Sequence, residues 1–501
     1  MNYDKYNQQY RKAIGLMALC DKKSEDSSLS YEEFYLNAIT YEFAFSLALF
    51  NYSQFIGSSE SSNSLLFLRR LLECYAYYKP FEDKRFEKIN FQVYKIQAQN
   101  REVGEKEAKK IKDALKLKKC NINDAIRNNN FLFLHGIYTS DFSYRNFISE
   151  IFDRVDNEMI FLYDYFSLRA HQTNLNIFNK SFDNLDNRLF NNVKDFYPKI
   201  IIDDLKNIKK LPKVSLADEE KSFLSDNDGL IYRMHDELLN FYAMIEKCNI
   251  DYYTVFLGLV WSFIESSLFL FKLKSYRGII ATFKPFIEKV AVFSNLLKMK
   301  PYEANNAFFD FNFCSMYVVH NTMAKMNILE ENMLENELEK LYRNRFSKGS
   351  MEGFSSFKIK IENNPSYIIT RKNENYSSSV ERYFTENYIK DKKELMNAYY
   401  ESVVLSHCDG FLLFKKDKDY SDYAKVVIKF SLDYFRYLID FFFGNKFHYL
   451  LENGNGKEFI NHQILINLTN QIESAHFEHE EKAKVKSKPF LPIENIKDYL
   501  D

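Results

Sequence analysis

Glycine and proline are scarce in this chain, with 13 and 8 residues among 501. β-Sandwiches and β-barrels need many tight turns, which these two residues favour, so the small supply argues against such folds and for long helices. A single hydrophobic core rarely grows beyond roughly 250–300 residues, so we expect two or three domains.

Cysteine is also sparse, and the cysteines are scattered along the chain. The six cysteines include no Cys-x-x-Cys pair, which argues against a disulfide framework or a zinc site and for reduced thiols.

The first residues, Met1 to Tyr6, contain no apolar signal segment. The most apolar run, Tyr253 to Leu273, includes Glu265 and several serines, as a buried helix would and a membrane span would not. The sequence therefore predicts a cytoplasmic protein without a membrane partner.

Neither sign of charge dominates. The chain has 68 basic and 69 acidic residues, so no global attraction to nucleic acid follows. One local run, Lys106 to Lys119, carries seven lysines that could contact phosphates. Glu105, Glu107 and Asp113 are interleaved with them, and a solvated helix face is the alternative interpretation.

The motifs of several enzyme classes are absent. The sequence has no GxxxxGK[ST], GxGxxG, HExxH or GxSxG pattern, which argues against P-loop, dinucleotide and related chemistry, and we expect no cofactor. His476 and His479 have a spacing that can share a metal, with His462 nearby. No cysteine or aspartate cluster completes the ligand set, so we expect no metal.

What the chain does contain is an internal similarity. The segment 68–73 (LRRLLE) returns as 283–288 (FKPFIE), which aligns Arg69 with Lys284 and Glu73 with Glu288 at an offset of 284 − 69 = 215. In each copy the cation and the carboxylate are four residues apart, so they share one face of a helix. Pro285 takes the place of Arg70, and because proline suits only the first turn, we expect the second copy of this helix to begin later than the first.

A second match has a larger offset. Residues 390–411 resemble residues 154–175 at an offset of 407 − 171 = 236, so the second copy has 236 − 215 = 21 extra residues. Residues 357–361 alternate apolar and charged side chains, and with 367–370 they predict a small β-hairpin that accounts for the insertion at about 340–380. We therefore predict an all-α protein of two tandem related helical bundles, 1–212 and 213–501, with this hairpin in the second.

The repeated polar residues are the candidate site. A histidine beside an arginine and a carboxylate can act as general base while the arginine holds a phosphate, which is sufficient for metal-free RNA cleavage by the 2′-hydroxyl. The second copy has Val403 in place of Ser167, and its lysine cannot grip a phosphate in the forked manner of arginine, so the first half is the better candidate. The candidate catalytic residues are His171 (base), Arg69 (phosphate clamp), Glu73 and Tyr163 (orienting groups), and their second-copy counterparts are His407, Lys284, Glu288 and Tyr399.

The alternative is that these side chains are structural. Arg69 and Glu73 would then satisfy one another, while Tyr163 and His171 would make buried hydrogen bonds that join helices. Under that interpretation the chain is a non-catalytic scaffold or sensor that binds a protein or nucleotide partner, and under the first its partner is RNA.

The LR-x-L-x-E and Y-x-x-x-S-x-x-x-H patterns, Leu68 to Glu73 and Tyr163 to His171, resemble those of an uncharacterised family of bacterial helical proteins. More distantly, the architecture is similar to HEPN domains, the helical bundles of prokaryotic toxin, abortive-infection and CRISPR-associated ribonucleases. This resemblance implies a helical bundle and a role in antiviral defence through RNA. HEPN ribonucleases carry Arg-x(4–6)-His, whereas Arg127 and His135 are separated here by seven residues and Arg169 and His171 by one.

Overall fold

The computed structural model describes residues 3–26, 28–56, 61–82, 104–106, 108–109, 163, 167, 198–208, 216–226, 251–325, 334–346, 351–372, 374–387, 389, 391–407 and 417–443. These residues are mostly helical and none of them is in a strand, so the predicted all-α class is confirmed. The proposed boundary at 212/213, most of the basic run, His171 and the histidines at 462, 476 and 479 lie outside the described residues.

The described helices fall into a group before the proposed boundary and a group after it. The first group is α1 (Tyr3–Ser24), α2 (Tyr31–Ile56), α3 (Ser61–Glu82), α4 (Lys199–Asn207). Residues 218–226 form α5. The later group is α6 (Asp251–Lys272), α7 (Tyr276–Phe293), α8 (Pro301–Lys325), α9 (Glu335–Arg345), α10 (Met351–Asn363), α11 (Tyr367–Thr370), α12 (Tyr376–Glu386), α13 (Lys392–Leu405) and α14 (Ser421–Phe443). Short 3-10 turns occupy Leu296–Lys298 and Asp417–Tyr420.

Helix α7 is the central element of the later group. All 18 of its residues are buried, and it packs against α6, α12, α13 and α14. The rings of Phe263 in α6 and Phe286 in α7 stack with centroids 4.0 Å apart. A helix enclosed in this way belongs to the core on all its faces, so its polar side chains need buried partners.

Pro285 lies inside α7, and the prediction that this helix begins later was wrong. The helix begins at Tyr276, nine positions before the proline (285 − 276 = 9). A proline in a helix interior removes a backbone donor and costs roughly 3 kcal/mol. Burial of the surrounding side chains offsets that cost, as it often outweighs local propensity.

The predicted β-hairpin was also wrong. Residues 357–361 belong to α10 and residues 367–370 form α11. The apolar side chains at 354, 357 and 361 have helical spacing, and all three are buried, while Ile359 is 59% exposed. The period-two alternation over 357–361 was therefore part of a helical face read over too short a window.

Helix α2 connects the two groups. It packs against α1 on one side and α3 on the other, and it approaches α7 at Gly278. A Cβ atom at that glycine would lie 3.1 Å from Cδ2 of Leu49 in α2 and 2.9 Å from Oγ of Ser275. The absence of a side chain at Gly278 therefore allows this close contact.

Candidate functional site

Arg69 and Glu73 are among the most deeply buried charged residues of the described chain. They lie one turn apart on α3, 1% and 0% exposed, with 3.8 Å between Arg69 Nε and Glu73 Oε1. The apolar residues around them, Leu68, Leu71 and Leu72, are buried as well. The helix thus directs this pair into the core, where an unpaired charge would be very costly.

Glu73 and its counterpart Glu288 each accept a hydrogen bond from a tyrosine. Tyr163 Oη donates to Glu73 Oε1 at 3.2 Å, and Tyr399 Oη donates to Glu288 Oε1 at 3.0 Å. Burial raises the pKa of both phenols, and the adjacent carboxylate raises it further. Both tyrosines therefore remain protonated donors at neutral pH.

The second cation and carboxylate repeat the arrangement on α7. Lys284 Nζ lies 3.4 Å from Glu288 Oε1, again one helical turn apart. Burial lowers the pKa of Lys284, Glu288 opposes that shift, and the charge of Arg69 adds to it. Arg69 is therefore close enough for the two cations to repel each other, and the two polar sets form one cluster.

His407 belongs to the set on α3 and not to the one on α7. Its Nδ1 lies 2.9 Å from Glu73 Oε1, although its sequence counterpart in the first half is His171. Burial lowers the pKa of His407 to about 4, even with Glu73 opposing the shift. The imidazole is therefore neutral at pH 7, and since an ionised carboxylate only accepts hydrogen bonds, Nδ1 carries the proton that it donates to Glu73.

A second set of buried charges was missed by the sequence analysis. Glu42 of α2 lies between Arg70 and Arg277: its Oε2 is 2.6 Å from an Arg70 amino group, and its Oε1 accepts from Arg277. Arg70 Nε also donates to Ser46 Oγ at 3.0 Å. The available signal was a lone glutamate in the apolar run 41–50, since such a charge needs a buried partner.

The arginines of α3 also bind the carboxyl end of α13. Arg69 donates to the carbonyl oxygen of Ser406 at 2.6 Å, and Arg70 donates to the carbonyls of Leu405 and His407. The last carbonyls of a helix lack intrahelical partners and carry partial negative charge. These contacts satisfy them and place positive charge where the helix dipole favours it.

The charges of these two buried sets are nearly balanced. Four cations (Arg69, Arg70, Lys284 and Arg277) accompany three carboxylates (Glu42, Glu73 and Glu288), and the described chain buries one further cation, Lys289 of α7. The end of α13 supplies further negative potential toward the surplus cation. The cluster is thus a compensated polar network, as expected when it fixes how helices pack.

The structure brings seven of the eight candidate residues into this cluster: Arg69, Glu73, Tyr163, Lys284, Glu288, Tyr399 and His407. The eighth, His171, lies outside the described residues. Ser167 is half-buried in a helical segment, and its counterpart Val403 is half-buried in α13. The side chain of His407 is 17% exposed, which is more than the exposure of Arg69 (1%), Glu73 (0%) or Tyr163 (4%).

Within the described part of the chain, no three histidine, cysteine, aspartate or glutamate side chains are grouped as metal ligands would be. In the same residues, no helix is long and apolar enough to cross a membrane. Comparison of the chain with family models, curated proteins and solved structures finds no match.

Proposed function

We propose that the chain is a non-catalytic helical scaffold or sensor that binds a protein or nucleotide partner. One observation carries this proposal: the seven candidate residues that the structure describes are largely buried and bonded to one another and to backbone carbonyls. Arg69 is 1% exposed and directs an amino group to Ser406, so a phosphate would have to displace contacts that hold the fold together. A catalytic arginine needs access to the substrate.

We further propose that the two halves are related by duplication. In support, α3 begins at residue 61 and α7 at residue 276, which reproduces the sequence offset of 215 (276 − 61). The Tyr163–Glu73 and Tyr399–Glu288 hydrogen bonds join residues that the two offsets align, since 163 + 236 = 399 and 73 + 215 = 288. In this proposal the buried network holds the two bundles together, and the surface that they form jointly is the scaffold.

The test is RNA cleavage combined with a folding measurement. Purified chain is incubated with total RNA, without added metal, beside Arg69→Ala, His171→Ala and the exposed control Lys206→Ala. The scaffold proposal expects intact RNA in every case and a lowered unfolding temperature for Arg69→Ala. Cleavage by the parent and by Lys206→Ala, but by neither of the other two, would overturn it.

The second candidate function is a defence- or toxin-type ribonuclease, with His171 as base and Arg69 as phosphate clamp. A specific observation favours it: His407, the counterpart of His171, is neutral, is oriented by Glu73 and keeps 17% exposure of its side chain. The RNA experiment decides between the two functions, and His407→Ala added to it shows which histidine takes part.

We also propose that the protein is located in the cytoplasm. Cys20, Cys74 and Cys314 are buried thiols, which supports a reducing environment.

A further inference from the structure

A cavity of about 290 Å³ lies between α1, α2 and α4, and none of the residues that line it belongs to the buried charge network. Pockets for drug-sized ligands begin at roughly 300 Å³, so this cavity suits a smaller molecule. Its wall is partly apolar, formed by Leu16, Leu19 and Leu36. Leu19 is 55% exposed, so part of this apolar wall faces solvent and is open to a ligand.

The same cavity is lined by one cation and one anion. Lys23 projects from the end of α1 and Asp204 from α4, and both are exposed. They lie near the same point, because Asp204 raises the pKa of the Cys20 thiol and Lys23 lowers it. Both side chains reach solvent, and Lys23 also acts electrostatically on the exposed carboxylate of Glu33. Two opposite charges are therefore available at the mouth of a partly apolar cavity.

A buried amide completes the polar side of the cavity. Asn37 is 8% exposed, and its Nδ2 donates to the carbonyl of Cys20 at 2.8 Å. This bond fixes the amide, because it directs Nδ2 toward the backbone and leaves Oδ1 as the acceptor for another donor. Asn207 of α4 adds a second, exposed amide.

Cys20 itself is not a nucleophile. Burial raises the pKa of its thiol to about 12, so at neutral pH it is protonated and behaves as a small apolar part of the wall. The cavity is therefore suited to reversible binding and not to covalent capture.

We propose that this cavity binds a small zwitterion, an α-amino acid with an aliphatic side chain. Lys23 pairs with the carboxylate, Asp204 and Asn37 Oδ1 receive the ammonium group, and the leucine wall covers the side chain. Charge-assisted hydrogen bonds of this kind contribute more than neutral ones, and the apolar wall selects leucine over glycine. The proposal is independent of the function assigned to the buried network.

The test is calorimetric titration of the full chain with L-leucine, glycine, 4-methylpentanoate and 3-methylbutylamine. The last two keep the apolar part of leucine but lack the ammonium or the carboxylate. We expect L-leucine to bind at least roughly tenfold more tightly than each of the other three, because the acid and the amine each lose a charged hydrogen bond and glycine loses the apolar side chain.

Matched variants identify the residues that bind. Lys23→Met and Asp204→Asn should each weaken leucine binding roughly tenfold. Their neighbours Lys22 and Asp203 are exposed and do not line the cavity, so Lys22→Met and Asp203→Asn should leave it unchanged. The proposal is overturned if the parent does not bind leucine at millimolar concentrations, if the acid or the amine binds equally well, or if the four variants behave alike.

Discussion

Glu73 of α3 and His407 at the end of α13 are 334 positions apart in sequence and meet at 2.9 Å between Oε1 and Nδ1. The same carboxylate oxygen accepts the hydroxyl of Tyr163 and faces Arg69. One buried oxygen thus joins residues from both sides of the proposed boundary, and its removal should affect the whole network.

Replacement of Glu73 by glutamine tests that statement. The variant leaves the Arg69 guanidinium buried without its carboxylate, and breaking a buried ion pair in this way costs about 3–5 kcal/mol. We expect a loss of that size in the free energy of unfolding, measured with urea. Glu381 of α12 is exposed, and Glu381→Gln should change stability by less than about 0.5 kcal/mol. Equal effects of the two substitutions would show that the network contributes no stability.

Because the pKa of His407 is lowered, we expect the folded protein to lose stability in mild acid. Its pKa is 6.5 as usual in the unfolded chain and about 4 in the folded protein, so between these values the unfolded state binds more protons. The contribution of neutral His407 to the free energy of unfolding is fully present above pH 6.5 and is lost as the pH falls toward 4. From pH 7 to pH 5 we expect a loss of about 2 kcal/mol.

The matched variant is His407→Asn, which keeps a donor toward Glu73 and does not titrate. Urea unfolding at pH 7 and pH 5 should show a smaller decrease for the variant than for the parent. An identical decrease in both would mean that His407 is not buried in its neutral form.

For Glu265 of α6 we expect the opposite change of stability with pH. Burial raises the pKa of its carboxyl from 4.5 to about 7, so the folded state binds more protons between these values. Stability linked to this group is present below pH 4.5 and is lost as the pH rises through 7. Glu265→Gln removes the charge, and at pH 8 it should stabilise the fold by about 3 kcal/mol, with little effect at pH 4.5. A stability gain that is the same at both pH values would contradict the assignment.

Arg371 offers a stabilising substitution. It ends α11 in the left-handed region, with φ 53° and ψ 21°, and its N–H donates to the carbonyl of Tyr367 at 2.7 Å. Side chains with a Cβ are strained there, so Arg371→Gly should raise the free energy of unfolding by about 0.5–1 kcal/mol. Arg371→Ala keeps the Cβ and should bring no such gain. If alanine stabilises as much as glycine, the effect comes from the lost charge and not from the backbone.

The fold class was readable from the sequence because scarce glycine and proline leave few alternatives to helices. The hairpin was not, since Phe357, Ile359 and Ile361 fit a strand as well as a helix over five residues. The outcome depended on Phe354, one turn earlier, and on the core that it contacts. Local pattern was ambiguous, and tertiary packing decided.

The candidate site was readable in part. The alignment of the two halves pairs Tyr163 with Tyr399 and Glu73 with Glu288, and both tyrosine–glutamate bonds occur. It gives no reason for His407 to contact Glu73, because a repeat aligns residues within copies and says nothing about contacts between them. The roles of these residues in catalysis stay predictions.

The contact between the arginines of α3 and the end of α13 has a consequence for mutation. Its acceptors are the backbone carbonyls of Leu405, Ser406 and His407, and every amino acid provides that group. Point substitutions at 405 and 406 therefore keep the acceptors, whereas inserting or deleting one residue in α13 rotates them away by about 100°. The hydrogen bonds of this junction should therefore survive point substitutions and be lost on changes in length.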